Sequence, residues 1–303
     1  MSNYLVTGGA GFIGSHIVEA LLKRGDKVRV LDNFSTGRRE NVPNGVEIIE
    51  ASITDPQAIA PAFNGIDGVF HCAALPSVEL SLQNPLMTQE VNLKGTLNAL
   101  LAARDAKVRR VVYSSSAAVY GDQAETLLHE DMKPNPGSPY ALEKSMGEGY
   151  CGIASSAWEI ETVCLRYFNV FGPGAAFKGA YVNVIPIFLR QRAAGTPLTI
   201  TGDGTHTRDF VFVDDVARAN LLAMDSKNVG KGEVINIGSG AQKTVNEIAG
   251  YFDHPIKHIA PRIEQAHACA DITRAKKLLD WESQVSFEDG LKITMEWFEQ
   301  TQG

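Results

Sequence analysis

The sequence is poor in cysteine, and the few cysteines it has are scattered. Four cysteines stand among 303 residues, without a C-x-x-C pair or a Cys/His spacing that would hold a metal ion. This pattern argues against both a disulfide framework and a zinc site, and reduced thiols fit a cytoplasmic protein. We therefore predict a cytoplasmic protein with no metal site.

Long apolar runs and blocks of basic charge are also missing. No segment approaches the run of about 18 apolar residues that a membrane span needs, and the first apolar run, residues 4–6, is too short for a signal peptide. The formal charge is −7, with no compensating basic block. We therefore expect neither a membrane nor a nucleic acid as a partner. The apolar content of 44% can fill a sizeable globular core.

The first half of the sequence alternates short apolar runs with helical patterns. The runs are rich in β-branched residues and largely apolar throughout, as buried parallel strands are. Strands are predicted at residues 4–8, 27–32, 46–50, 67–73, 109–116 and 160–168, and helices at residues 12–24, 56–63, 85–106 and 138–157. This alternation predicts an α/β fold with a doubly wound parallel sheet and helices on both faces.

After residue 168 the sequence changes to segments punctuated by glycine and proline. Loops are predicted at residues 171–181 and 195–209, a strand at 232–238, and helices at 184–194, 245–252, 271–279 and 287–300. We predict two parts, a main domain of residues 1–168 and a smaller C-terminal α/β lobe of residues 169–303. Segments near residues 205–240 are expected to return to the main domain.

A glycine-rich turn joins the first predicted strand to the first helix. Gly8, Gly11 and Gly14 are three residues apart, and such a turn lets the backbone approach a pyrophosphate at the helix N-terminus. Asp32 ends the second strand, where a carboxylate can bind a ribose diol and repel a 2′-phosphate. The arginines at residues 38–39 are expected to be solvated. The main domain is therefore predicted to be a Rossmann-type domain that binds NAD rather than NADP.

A tyrosine and a lysine are placed to act together in the predicted helix at 138–157. Tyr140 and Lys144 are four residues apart, so their side chains share one helix face. A free tyrosine, with a pKa of about 10, is a poor base at neutral pH, but a nearby ammonium stabilises its phenolate. Ser116 ends the fifth strand at the same edge of the sheet, where its hydroxyl could bridge a substrate oxygen and the phenol. These residues predict proton transfer beside a nicotinamide.

The order of these motifs resembles the extended short-chain dehydrogenases/reductases and, within them, the nucleotide-sugar 4-epimerases. The similarity covers essentially the whole chain and is strongest to enzymes that act on UDP-glucose and UDP-N-acetylglucosamine. One departure is Ala51-Ser52, where the family usually has an acid that contacts adenine. The motifs that carry the resemblance are TGGAGFIGSH (7–16), SSSAAVYGD (114–122), PYALEK (139–144), LRYFNVFGP (165–173), GDGTHTRDFVFVDD (202–215) and ADITRAKKLL (270–279).

The resemblance implies a role for each matching residue. Tyr140 would be the acid/base, Lys144 would hold the nicotinamide ribose, and Ser116 would bind the reacting hydroxyl. The implied cofactor-binding residues are Gly8, Gly11, Phe12, Ile13, Gly14, Asp32, Asn33, Ser52, Ile53, Ala73, Ala74, Asn92, Ser114, Tyr140, Lys144 and Tyr167. The implied substrate-binding residues are Ser116, Tyr140, Asn169, Asn183, Arg208, Arg262 and Ala268.

The reaction implied is C4 epimerisation of a UDP-hexose by tightly bound NAD, through a transient 4-keto sugar. A nucleotide-sugar 4,6-dehydratase is the main alternative, but its relatives carry an acidic pair where this chain has Ala117 and Ala118, which cannot transfer protons. A UDP-glucuronate 4-epimerase and, more remotely, an NAD-binding sensor without turnover also stay open. The small Ala268 should leave room for an N-acetyl group, and the resemblance suggests a homodimer.

Overall fold

Parallel strands form the centre of the protein in the computed structural model, which describes residues 1–175, 184–260 and 267–302. Within these ranges seven strands form one sheet, in the order β11-β7-β5-β4-β1-β2-β3, with every neighbouring pair parallel. The predicted doubly wound α/β fold is confirmed. The strands in chain order are β1 (Asn3–Thr7), β2 (Lys27–Asp32), β3 (Glu47–Glu50), β4 (Gly68–His71), β5 (Arg110–Ser116), β6 (Leu127–Leu128), β7 (Glu161–Tyr167), β8 (Asn169–Phe171), β9 (Leu198–Thr201), β10 (Thr207–Phe212), β11 (Lys231–Ile237), β12 (Gln242–Thr244), β13 (Ile256–Ile259) and β14 (His267–Ala270).

Helices cover both faces of the seven-stranded sheet. On one face α1 and α8 bury Ile17 and Val216, and on the other face α5 and α6 bury Leu100 and Ala154. Each large aliphatic side chain buried in this way contributes about 1.5–3 kcal/mol. The helices in chain order are α1 (Phe12–Arg24), α2 (Pro56–Ile59), α3 (Val78–Gln83), α4 (Pro85–Gln89), α5 (Gly95–Asp105), α6 (Pro139–Ala157), α7 (Val184–Ala193), α8 (Val213–Asp225), α9 (Val245–Gly250), α10 (Thr273–Leu279) and α11 (Phe287–Gln302).

The two helices that matter most for the site begin in different ways. Helix α6 has Ser138 as its N-cap, with Oγ accepting the amide of Ala141, and Pro139 in its first turn. Helix α1 begins after Gly11, which offers no side-chain cap, so the first amides of α1 are open at that end. None of the helices in the described ranges has the length and apolar character of a membrane span.

The chain after residue 168 holds more strand than the sequence predicts. The segment at 195–209, predicted as loop, contains β9 and the start of β10. Strand β10 pairs with β8, β12 and β14, and β9 pairs with β13. Strand β9 has four residues, of which only Leu198 and Ile200 are fully buried. Such short strands give too few positions for an alternating pattern to be recognised.

Helix α8 is absent from the sequence-based prediction, although it covers half of one sheet face. It follows β10 without a loop, and its N-cap Phe212 makes no capping hydrogen bond. The sequence therefore lacks the polar N-cap residue that usually marks a helix start. Asp214 and Asp215 in its first turn are the one signal that could have revealed it.

Candidate active site

A cavity of about 680 Å³ opens where the strands of the main sheet end, between that sheet and residues that follow β7 in the chain. This edge is where open α/β sheets hold ligands. Two predicted substrate residues, Asn183 and Arg262, lie outside the described residues. The predicted residues that line the cavity are Gly8, Gly11, Phe12, Ile13, Gly14, Asp32, Asn33, Ser52, Ile53, Ala73, Ala74, Ser114, Ser116, Tyr140, Lys144, Tyr167, Asn169, Arg208 and Ala268.

The glycine turn brings bare backbone to the cavity. Gly8 has a φ of 68°, and a Cβ there would stand 2.7 Å from the amide nitrogen of Ala73. A Cβ at Gly14 would overlap the carbonyl oxygen of Gly8. With no side-chain cap at Gly11, the open amides at the start of α1 form a cradle that suits an anionic pyrophosphate.

Asp32 stands at the end of β2 and is only 8% exposed. One of its oxygens accepts the amide of Ala10 and the other accepts the amide of Phe34. Each carboxylate oxygen can accept a further hydrogen bond, as a ribose diol requires. Arg39 forms an ion pair with Glu50 and stacks 4.3 Å from the ring centroid of Phe34. That arginine is therefore already engaged, which fits NAD rather than NADP.

Helix α6 and the end of β5 bring Tyr140, Lys144 and Ser116 to one wall of the cavity. The Lys144 ammonium donates to the carbonyl oxygen of Ser114 at 2.7 Å and stands 6.0 Å from the ring centroid of Tyr140. The hydroxyl of Ser116 accepts the amide of Ala118 at 3.2 Å. Burial lowers the pKa of Lys144 to about 8, partly opposed by nearby Cys72, Glu143 and Glu148. A positive charge is thus held beside a phenol at the cavity wall.

Strands β8, β10 and β14 supply another wall of the cavity. Arg208 on β10 and Ala268 on β14 are direct partners in the pairing of these strands, and both line the cavity. The side-chain amide of Asn169 donates to the carbonyl oxygen of Asp209 at 2.8 Å. Asp209 is fully buried and accepts amides from Ser239, Gly240 and Ala270. This carboxylate therefore ties together the segments that carry the wall.

Asn92, which is also predicted to be a cofactor residue, is not among the described residues that line the cavity. It is 1% exposed and lies behind Leu75, whose backbone its side chain holds. Some lining residues were not predicted, because loop and apolar residues give no sequence signal for a ligand. They include Ser35, Thr36, Leu75, Pro76, Val78, Met87, Leu128, Phe168 and Pro186. Among the described residues, no group of three or more His, Cys, Asp or Glu side chains could hold a metal ion.

His71 ends β4 beneath the cavity as a buried, neutral imidazole. Thr96 donates its hydroxyl proton to the carbonyl oxygen of Asn92, so it must accept from Nε2 of His71. Thr7 accepts the amide of Ala73 and donates to Nδ1 of His71 at 2.7 Å. The hydrogen bonds therefore define the Nε2–H tautomer. Burial, with help from Lys144, lowers the pKa of His71 from 6.5 to about 3.

Acid should destabilise the fold through His71. Between pH 6.5 and about 3 the unfolded chain protonates this residue and the folded protein does not. The unfolded state then binds more protons, so the free energy of unfolding falls as pH drops. Between pH 7 and pH 4, protonation of this residue in the unfolded chain should lower the free energy of unfolding by about 3 kcal/mol. Urea unfolding of wild type and His71→Gln across that range should give a shallower pH dependence for the variant; equal slopes would refute the assignment.

A parallel-sheet dinucleotide fold with a Tyr/Lys pair and a strand-end serine defines a class of NAD-dependent enzyme. The profile of the NAD dependent epimerase/dehydratase family matches residues 4–238, and the chain belongs to that family.

The chain is 37% identical to the UDP-glucose 4-epimerase of Mycolicibacterium smegmatis over 97% of both chains. It is 35% identical to a UDP-N-acetyl-alpha-D-glucosaminuronate decarboxylase of Bacillus cytotoxicus, again over 97% of both. The crystal structure of the UDP-glucose 4-epimerase of Thermotoga maritima with UDP-glucose superimposes with a TM-score of 0.94 at 37% identity, covering 99% of this chain and 100% of that one. NAD is the cofactor of the family.

Proposed function

We propose that the chain catalyses C4 epimerisation of a UDP-hexose with tightly bound NAD, through a transient 4-keto sugar. The observation that carries this proposal is the wall formed by Tyr140, Lys144 and Ser116, with Ala117 and Ala118 beside it. One proton-transferring group is enough for epimerisation, because the same phenol removes and returns the C4 hydroxyl proton. The predicted substrates are UDP-glucose and UDP-galactose, together with their N-acetylated counterparts.

The residues of the wall have separate roles in this proposal. NAD, when bound, would supply reversible hydride transfer at C4. Tyr140 takes the C4 hydroxyl proton as its phenolate, and the buried Lys144 ammonium stabilises that phenolate. Ser116 hydrogen-bonds the reacting oxygen. Arg208 and Asn169 hold the diphosphate, so the sugar can turn within the cavity without escaping.

Carboxylates are scarce in the cavity, which favours epimerisation over dehydration. Among the described lining residues Asp32 is the one carboxylate, and it ends β2, three strands from β5 in the sheet. Three strand spacings amount to roughly 14 Å. Elimination of water across C5 and C6 needs an acid and a base beside the sugar, and Ala117 and Ala118 provide neither.

A uronate substrate is also less well served than a neutral hexose. The cations among the described lining residues are Lys144 and Arg208. Lys144 is bonded to the carbonyl oxygen of Ser114, and Arg208 is assigned to the diphosphate. A sugar carboxylate would therefore compete for these cations with the carbonyl oxygen of Ser114 or with the diphosphate. This weighs against a decarboxylase and against a glucuronate epimerase.

Turnover without added NAD tests the reaction, the substrate and cofactor retention together. We expect the purified protein to convert UDP-galactose and UDP-N-acetylgalactosamine into their 4-epimers, and UDP-galacturonate more than about tenfold more slowly. The products are identified by NMR. Finding neither a 4-epimer nor a 4-keto sugar would contradict the proposal and favour an NAD-binding sensor.

Ala268 is the proposed determinant of N-acetyl acceptance. It packs with Leu128 and Phe168 at the cavity, so this part of the wall is apolar. The Ala268 side chain itself is a single methyl group. In the same assay Ala268→Tyr should lower kcat/KM for the N-acetylated sugar by about tenfold more than for the plain sugar, because the phenol occupies the acetyl space. An unchanged ratio would remove Ala268 from the specificity pocket.

We also propose that the chain is a cytoplasmic homodimer. The four cysteines are free, which suits a reducing compartment. Helix α6 exposes Leu142, Met146 and Ile153 on one stripe, and Leu82 and Leu86 are exposed nearby on α3 and α4. Such a contiguous apolar face fits a second copy of the chain. Sedimentation equilibrium should give twice the 32.8 kDa chain mass; a monomer at micromolar concentration would contradict it.

A further inference from the structure

A wider turn of π-helix, Glu90–Lys94, separates α4 from α5 and carries Asn92. The sequence predicts one continuous helix there, so the π turn is a departure from the simplest fold, and such turns often occur at functional sites. The side-chain oxygen of Asn92 accepts the amide of Leu75 at 2.7 Å, and its NH2 group donates to the carbonyl oxygen of Leu75 at 3.2 Å. Asn92 therefore holds a loop that lines the cofactor side of the cavity.

The orientation of that amide is set by a buried carboxylate on α6. Glu143 is 4% exposed, and its Oε2 accepts from the Asn92 NH2 group at 2.7 Å. Its Oε1 accepts the Thr88 hydroxyl at 2.8 Å. In the part of the chain that the structure describes, no lysine, arginine or histidine forms an ion pair with Glu143. A buried carboxylate held only by neutral donors is costly unless a nearby charge compensates it.

The residue that follows Glu143 is Lys144, a buried cation whose pKa the charge of Glu143 raises. Titratable groups face Lys144 from three elements: Tyr113 of β5, His71 and Cys72 at the end of β4, and Tyr140, Glu143, Glu148 and Cys151 of α6.

Besides Glu143, the carboxylate of Glu148 and the thiol of Cys72 are candidates to balance the ammonium near neutral pH. Burial raises the pKa of Cys72 to about 11, so its thiol is neutral there. Glu148 is neutralised by two hydrogen bonds from the Arg166 guanidinium, both at 2.8 Å. Among the described neighbours of Lys144, Glu143 is therefore the carboxylate whose charge no other cation compensates.

We propose that Glu143 is a positioning residue: it fixes Asn92 against Leu75 and supplies the negative charge that accompanies the buried Lys144 ammonium. It touches neither the cavity nor the reacting atoms in our assignment. The inference rests on the proposed role of Lys144 beside Tyr140. It adds to that role the group that keeps the ammonium charged and the path by which α6 supports the cofactor wall.

Glu143→Gln removes the charge while keeping the hydrogen bonds. The carbonyl oxygen of the new side-chain amide can accept from Asn92, and its NH2 group can donate to Thr88, whose proton then serves the carbonyl oxygen of Pro85. With lysine labelled at 13Cε, the NMR titration of Lys144, identified by its loss in Lys144→Arg, should move about one pH unit lower in the variant. The alkaline limb of kcat should move with it, while KM changes little.

Two further variants complete the test. Glu90→Gln removes an exposed carboxylate from the same π turn and should leave the Lys144 titration in place. Asn92→Ala should weaken NAD binding about tenfold, because the Leu75 loop loses its tether. An unmoved Lys144 titration in Glu143→Gln, or unchanged NAD affinity in Asn92→Ala, would overturn the inference. Both readouts work without a sugar substrate, so they stand apart from a failure of the proposed reaction.

Discussion

Replacing Tyr140 by phenylalanine should lower kcat for UDP-galactose by about 10³-fold while leaving bound NAD in place. The substitution removes one hydroxyl, and the ring remains to fill the same space between α6 and the cavity. No other described residue at this wall can take the proton, because Ser116 is a poor base and Lys144 is bonded to the carbonyl oxygen of Ser114. Steady-state kinetics and the NAD content of the purified variant are the two measurements.

A matched control lies on the same helix. Tyr150 is half-buried on α6 and does not line the cavity, so Tyr150→Phe should retain kcat within about twofold. If Tyr140→Phe kept more than about a tenth of the wild-type kcat, a different group would have to be the acid/base. A loss of NAD together with activity would instead indicate that the variant is misfolded, which thermal unfolding would reveal.

Replacing Gly14 by alanine should abolish stable NAD retention. The new Cβ would overlap the carbonyl oxygen of Gly8 and stand 2.9 Å from the Cα of Gly9. These are backbone atoms, which cannot rotate away, so α1 must shift out of the turn that it closes. We expect about 2–3 kcal/mol of lost stability and an NAD affinity lower by about 100-fold. Calorimetric titration of NAD and urea unfolding measure the two effects.

Gly250→Ala provides the comparison for this prediction. Gly250 ends α9, and a Cβ there would meet nothing within 4 Å. Alanine is also the better helix former, so stability should stay the same or rise slightly. Gly14→Ala protein that retained NAD through purification and dialysis would show that the turn does not need this close approach.

The elements with clear sequence signals could be predicted, and the elements without such signals could not. Helix α1 was predicted with its observed bounds, because a glycine turn precedes it and Gly25 ends it in a left-handed conformation. Helix α8 has no such signals, and β9 is too short to show a period. The cavity brings together residues from both halves of the chain, because parallel strands end at the same edge of a sheet.

Asn92 is a residue that the resemblance assigns to the cofactor site. Its side chain lies behind the cavity and holds the backbone of Leu75. A sequence match cannot distinguish a residue that contacts a ligand from a residue that holds its neighbour, because both are fixed equally by the fold. Glu143 had no signal at all, since a glutamate in a helix is usually exposed.

The pairing of β10 with β14 places Arg208 directly opposite Ala268. In the proposed roles, Arg208 binds the diphosphate and Ala268 limits the size of the sugar. These two side chains are adjacent but lie on different strands. Directly opposed side chains in a sheet are close enough to interact, so a change in one alters the surroundings of the other. In the proposed roles, sugar preference and nucleotide affinity are therefore coupled, and a substitution that changes one is expected to change the other.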